Sequence, residues 1–114
     1  MNGEEKELFK AQVYEIVRLI PYGRAASYGD IARAAGYPNL SRMVGRIMGG
    51  TGDSEDDIPA HRVVNSSGHL SGRHTFATPA EMQELLEAEG VVVINNRIKE
   101  WKSVRWNPLD EIRL

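Results

Sequence analysis

A chain of 114 residues with 41% hydrophobic residues is long enough for one compact domain and too short for two, so residues 1–114 are expected to form a single domain. It has no cysteine, which excludes disulfides, thiolate metal ligands and thiol nucleophiles together, and no signal core or apolar run near the ~20 residues of a membrane span. The net charge of −2 argues against a general nucleic-acid binder, but no acid occurs from Ile31 to Gly52 or from Ile58 to Ala80, stretches that hold Arg33, Arg42, Arg46, Arg62 and Arg73, so one positive face can still meet a polyanion.

Leu8, Phe9, Val13, Ile16, Val17 and Ile20 share one stripe of a 3.6-residue period, which predicts an amphipathic scaffold helix from Glu4 to Ile20, stopped by Pro21 and Gly23. Ser27 is the better cap for a short helix through Ala35, which Gly36 ends and Pro38 prevents from continuing. A third helix is expected from Asn39 to Gly49, with Leu40, Met43, Val44 and Ile47 on one face and Arg42, Gly45, Arg46 and Gly49 on the other. Two short helices around a tight Gly-x-Pro turn make a helix-turn-helix pattern.

Gly50 to Asp57 reads as a polar loop whose acids, Asp53, Glu55, Asp56 and Asp57, face solvent. Ile58 to Arg73 has no clear helical or strand period, and its Pro59, Asn65, Ser66-Ser67-Gly68 turn and Gly72 suit an ordered functional loop with short extended pieces. Thr78-Pro79-Ala80-Glu81 is a capping box with proline at the first helical position, predicting a helix to Glu89 with Gly90 just past its end. Val91 to Ile94, an Asn95-Asn96 turn and Arg97 to Val104 predict a terminal hairpin, packed by Trp101 and Trp106 and closed by Trp106 and Pro108.

The run Pro59-Ala60-His61-Arg62-Val63-Val64-Asn65, following Ser27-Tyr28-Gly29 and Arg42-x-x-Gly45, closely resembles the DNA-binding domain of the O6-alkylguanine-DNA alkyltransferases, over about nine-tenths of the chain. The resemblance implies an α+β, mainly helical fold, with a helix-turn-helix of winged-helix type and a small terminal β-hairpin. In those enzymes the residue after the proline is the acceptor cysteine; here it is Ala60. By that motif, by the absent N-terminal domain and by Arg73, thirteen residues after Ala60, the chain is similar to the alkyltransferase-like branch, in which the cysteine is replaced. Transfer of an alkyl group from guanine O6 needs a soft nucleophile, and Ala60 offers only a methyl group. His61 and Glu89 match the histidine and glutamate that activate the family thiol, and are expected to be structural survivors, with Glu89 orienting His61 beneath the pocket.

The resemblance also implies a DNA- and lesion-binding set. Tyr28 would crowd a phosphate and help rotate the nucleotide outward, while Arg42 fills the gap left in the stack. Gly45 would let its helix enter a minor groove only ~6 Å wide, with Arg46 on a phosphate. Ala60 would floor the pocket, Ser71 and Gly72 face O6, and Arg73 lie over the flipped purine; Arg62 and Asn65 complete the set. The function implied is non-enzymatic: a monomeric cytoplasmic protein, nucleoid-associated in a bacterium, flips O6-alkylguanine out of double-stranded DNA and flags it for nucleotide excision repair proteins. No cofactor or metal is implied, since His61, His69 and His74 lack a carboxylate to join them. On the residues alone, Tyr28 also reads as a packing tyrosine and Arg42 as a solvated helix arginine. Two rivals follow: an alkyltransferase or hydrolase with a non-thiol nucleophile such as His61, which would change the lesion, and a helix-turn-helix transcriptional regulator, which would prefer an undamaged sequence.

Overall fold

The computed structural model describes residues 1–50 and 58–112; the acid run from Asp53 to Asp57 lies outside the described residues. Helix α1 (Gly3–Arg18) opens on a capping box, in which Asn2 Oδ1 accepts from Glu5 N at 2.8 Å and Asn2 N donates to Glu5 Oε1 at 3.4 Å. It buries Phe9, Val13, Tyr14 and Val17, whereas Leu8, expected on the same stripe, is turned out to 67% exposure. After the short strand β1 (Ala26–Ser27) come α2 (Tyr28–Ala34) and α3 (Ser41–Gly49), the helix-turn-helix pair. A Schellman turn ends α2: Gly36 has φ +89, Gly36 N donates to Arg33 O and Tyr37 N to Ala32 O. That left-handed residue lets the chain reverse into α3 within a few residues.

A single 3₁₀ turn (Ala60–Arg62) leads into β2 (Val63–Val64), and a second (Arg73–Thr75) precedes α4 (Glu81–Ala88). Strands β3 (Val93–Ile94) and β4 (Arg97–Ile98) then form the hairpin, followed by α5 (Trp101–Val104) and α6 (Pro108–Glu111). The pair β1–β2 is parallel, with Ala26 opposite Val63 and Ser27 opposite Val64. Alternation along a strand sends neighbours to opposite faces, and here it divides the interior. Ala26 and Val63 belong to one core with Phe9, Ile31, Val44 and Trp106; Ala25 and Val64 belong to a second with Leu70, Met82, Leu86 and Ile98. Among the described residues, no helix is long and apolar enough to cross a membrane.

Three expectations are corrected. The helix predicted from Pro79 begins at Glu81, because Glu81 N donates to the Thr78 carbonyl at 3.2 Å and the Thr78 hydroxyl makes no cap. Glu81 does reach back, but to Ala77 N at 3.1 Å. The second hairpin strand stops at Ile98 rather than Val104: Ile98, Trp101 and Val104 recur every third residue, a helical spacing that a period-2 reading misses, and α5 follows. Trp106 leaves the hairpin altogether and packs in the first core, its backbone N donating to Ala25 O at 2.7 Å. The predicted Asn95-Asn96 turn is present, with φ +52 and +61, as a tight two-residue hairpin loop requires.

Trp101 fixes the loop below the hairpin. Its Nε1 donates to Ser66 O at 3.1 Å and its ring covers Gly68, which has φ +82 and where a Cβ would meet Trp101 Cγ at 2.9 Å. Gly68→Ala is therefore expected to destabilise the protein by about 2 kcal/mol or more, through both strain and overpacking. Urea unfolding checks this; an unchanged midpoint would show that Trp101 does not clamp this loop.

Candidate nucleic-acid interface and lesion pocket

Tyr28 is placed by the start of α2. Ser27 Oγ accepts from Asp30 N at 3.0 Å and Asp30 Oδ2 from Ser27 N at 3.2 Å, a reciprocal cap that sets the first turn and aims Tyr28 across α3. Burial would raise the Asp30 carboxyl, but hydrogen bonds from Arg105 and Ser27 outweigh it and hold the group below its ordinary value. Arg33 joins from the same helix at 2.6 Å.

Helix α3 buries Val44 and Met48 and turns Arg42 and Arg46 outward, where their side chains have no hydrogen-bond or ion-pair partner among the described residues. A Cβ at Gly45 would lie 3.9 Å from the Tyr28 ring, and one at Gly49 3.7 Å from Thr75 Cγ2, both ordinary contacts. The protein's own packing thus demands neither glycine. Gly72 differs: a Cβ there would come within 3.0 Å of Tyr28 Oη.

Tyr28, Gly45, Ala60 and Gly72 converge on one small cavity of about 30 Å³, joined by Met48 and Phe76. Ser71 Oγ donates to Tyr28 Oη at 3.5 Å across its rim. A larger cleft of about 840 Å³ shares Ala60, Thr75 and Phe76 with it, but Tyr28, Gly45 and Gly72 do not line that cleft. The small cavity is therefore where the sequence-predicted residues meet. Sequence reasoning missed Met48, Thr75 and Phe76; the signal for Met48 was its place one turn after Val44 on the buried face of α3.

Ala60 is carried by the 3₁₀ turn, and that turn is anchored from behind. His61 Nε2 lies 2.5 Å from Glu89 Oε2, Arg62 Nε and Nη2 donate to the same carboxylate at 2.9–3.1 Å, and Gly23 N donates to Glu89 Oε1 at 2.7 Å. Burial alone would raise the Glu89 carboxyl, but the hydrogen bonds from Arg62, Gly23 and His61 prevail and bring it from 4.5 to about 2. His61 and Glu89 are thus paired as expected.

Three side chains of the expected set are engaged by the protein itself. Arg62 is engaged by Glu89 and by the Ile20 carbonyl at 2.9 Å, because the half-buried guanidinium needs both partners. Asn65 Oδ1 accepts from Ser67 N, Ser67 Oγ and His69 N, so its side chain holds its own turn. Arg73 Nη1 donates to Leu70 O at 3.0 Å and does not line the small cavity. Arg46, expected on a phosphate and not in the pocket, stands outside that cavity, exposed beside α1.

Residues 8–91 match the family model described as the 6-O-methylguanine DNA methyltransferase DNA-binding domain. The chain is 38% identical over 104 residues to "Alkyltransferase-like protein 1" of Schizosaccharomyces pombe, covering 88% of this chain and 95% of that one. It is 35% identical to the "DNA base-flipping protein" of Escherichia coli, covering 91% and 78% respectively. Its fold superposes on the crystal structure of S. pombe Atl1 in complex with damaged DNA containing O6-carboxymethylguanine, with a TM-score of 0.80 and 35% identity over 95% of this chain and all of that one.

The Glu89 carboxyl, 6% exposed, has a folded pKa below its unfolded value, so its contribution to stability is complete above about pH 4.5 and is lost as pH falls toward about 2. Glu89→Gln is expected to cost about 3 kcal/mol at neutral pH. Denaturant unfolding across this range should show parent and variant converging as the solution is acidified; parallel curves would contradict the assignment.

Proposed function

This chain belongs to the family of the 6-O-methylguanine DNA methyltransferase DNA-binding domain, in its alkyltransferase-like branch, and on that premise we propose that it binds O6-alkylguanine in duplex DNA, extrudes the base, and leaves it unrepaired for nucleotide excision repair. The observation that carries the reading is the convergence of Tyr28, Gly45, Ala60 and Gly72 on one cavity, in a chain without cysteine. No thiol is available to accept an alkyl group, so the chain carries out no family-type transfer. A binder, unlike an enzyme, needs only the groove, the pocket and a plug for the stack.

In the proposed complex, α3 enters the minor groove, where Gly45 and Gly49 leave room beside the helix and Arg42 replaces the extruded base. Tyr28 crowds the phosphate of the rotated nucleotide. The cavity as it stands is water-sized, so a purine enters only when the rim of Tyr28, Ser71 and Gly72 moves aside. Arg73 would exchange the Leu70 carbonyl for the flipped base. We assign Arg62 and Asn65 to holding the pocket loop, and Arg46 to a phosphate. The rival with His61 as nucleophile would have to act through Nδ1, since Nε2 is held by Glu89, and it predicts an alkyl adduct on the protein.

Equilibrium binding to matched duplexes with and without O6-methylguanine, followed by mass spectrometry, tests the reading. The damaged duplex should bind tighter, with the methyl group still on the base and no mass added to the protein; an alkyl adduct on the chain would falsify it. Base extrusion costs roughly a few kcal/mol, so Arg42→Ala should weaken lesion binding about tenfold or more while the fold persists. Parent-like affinity would reduce Arg42 to a surface arginine. Tyr28→Phe should lose less than Tyr28→Ala, because the ring, not the hydroxyl, crowds the phosphate; equal losses would reverse that ordering.

A further inference from the structure

The outer face of α1, expected as scaffold, carries an arrangement that the lesion pocket does not use. Lys6 and Lys10 stand one turn apart on it, and together with Arg46 of α3 they line an open cleft of about 380 Å³ that Met43 and Ile47 also line. None of these three side-chain cations has an ion-pair partner among the described residues. Glu7, three residues before Lys10, is placed to neutralise it in the usual helical way, yet Lys10 Nζ lies over the Tyr14 ring instead, 5.7 Å from its centroid. Glu7 lines the same cleft, which leaves three cations against one carboxylate.

Arg46 is one helical turn beyond Arg42, so this cleft continues the outer edge of α3 toward α1. We propose that the α1–α3 cleft binds the sugar–phosphate backbone beside the extruded base, with Lys6, Lys10 and Arg46 each meeting a phosphate. The inference rests on the reading that α3 docks in the groove. Lysine suits this task because its ammonium is a flexible point charge that needs no fixed acceptor geometry. The apolar side chains of Met43 and Ile47 suit the sugar edges between phosphates. Contacts of this kind position the duplex and carry no information about the base, so they serve damaged and undamaged DNA equally.

The test uses the full chain and its Lys6→Ala/Lys10→Ala variant, with one duplex prepared both undamaged and carrying a single O6-methylguanine, over a series of salt concentrations. Each phosphate contact contributes about 0.9 to the slope of log affinity against log salt, so the variant's slope should be shallower by about 1.8. Across a fourfold rise in salt the parent should then lose about tenfold more affinity than the variant, on both duplexes alike. Lys6→Arg/Lys10→Arg should keep the parent slope, and Glu7→Gln should bind both duplexes more tightly. An unchanged slope in the alanine variant overturns the proposal and leaves the cleft to an acidic protein surface. A loss confined to the damaged duplex also overturns it, by placing the lysines at the pocket. Failure of the lesion-binding reading shows separately, as a parent chain with no preference for the damaged duplex.

Discussion

The Glu89 carboxylate holds together what the rest of the site stands on. It accepts from Gly23 N after α1, from His61 and from Arg62, and Arg62 in turn donates to the Ile20 carbonyl. One side chain at the end of α4 thereby ties three segments that are distant in sequence. Ile20 closes the first core, while Leu86 and Val91 flank Glu89 in the second, so the carboxylate also joins the two apolar halves. The turn bearing Ala60 has only three residues and no side-chain cap of its own. Its position is set from outside, and a charge-assisted, largely buried set of hydrogen bonds is rigid enough to do so.

The same arrangement bears on chemistry. A carboxylate brought to about 2 stays ionised throughout the neutral range and is a poor proton acceptor. Glu89 can fix the orientation of His61, but no nucleophile stands in front of that histidine, since residue 60 is alanine. The hydrogen bonds that would orient a histidine toward a thiol are the same ones that anchor this turn, so on the proposed function they serve anchoring alone.

Much of this was legible in the sequence, for physical reasons that differ by residue. Ser27 announced α2 because a cap is a local interaction; Ala60 and His61 were placed by a motif with fixed spacing, and Glu89 by its match to the family glutamate. Side-chain direction is another matter. The motif locates Arg62, Asn65 and Arg73 in the chain, but their hydrogen bonds to Glu89, to Ser67 and His69, and to Leu70 depend on which partner folding brings within reach. The pairing of β1 with β2 left no periodic signal, because each strand has two residues and the partners come from distant parts of the chain. Asp30 was overlooked as a lone acid in the helix-turn-helix, although its spacing from Ser27 is that of a capping box with an acid at the third position.

The division of the cations reconciles an acidic chain with a polyanionic partner. Arg33 and Arg105 surround the buried Asp30, and Arg62 is held by Glu89, so these arginines stabilise the scaffold and contribute little field outside it. Arg42, Arg46, Lys6 and Lys10 have no ion-pair partner among the described residues, Lys10 resting on the Tyr14 ring. Few phosphate contacts mean weak non-specific binding, since each one adds affinity for any duplex. If the chain finds rare altered bases among a large excess of normal ones, as proposed, weak background binding is an advantage: the ratio of specific to non-specific affinity decides occupancy, not the absolute affinity. On the proposed function, that ratio has to come from contacts made after the base has left the stack. On that reading, internal neutralisation of the scaffold arginines is part of how a small domain of net negative charge gains selectivity on DNA.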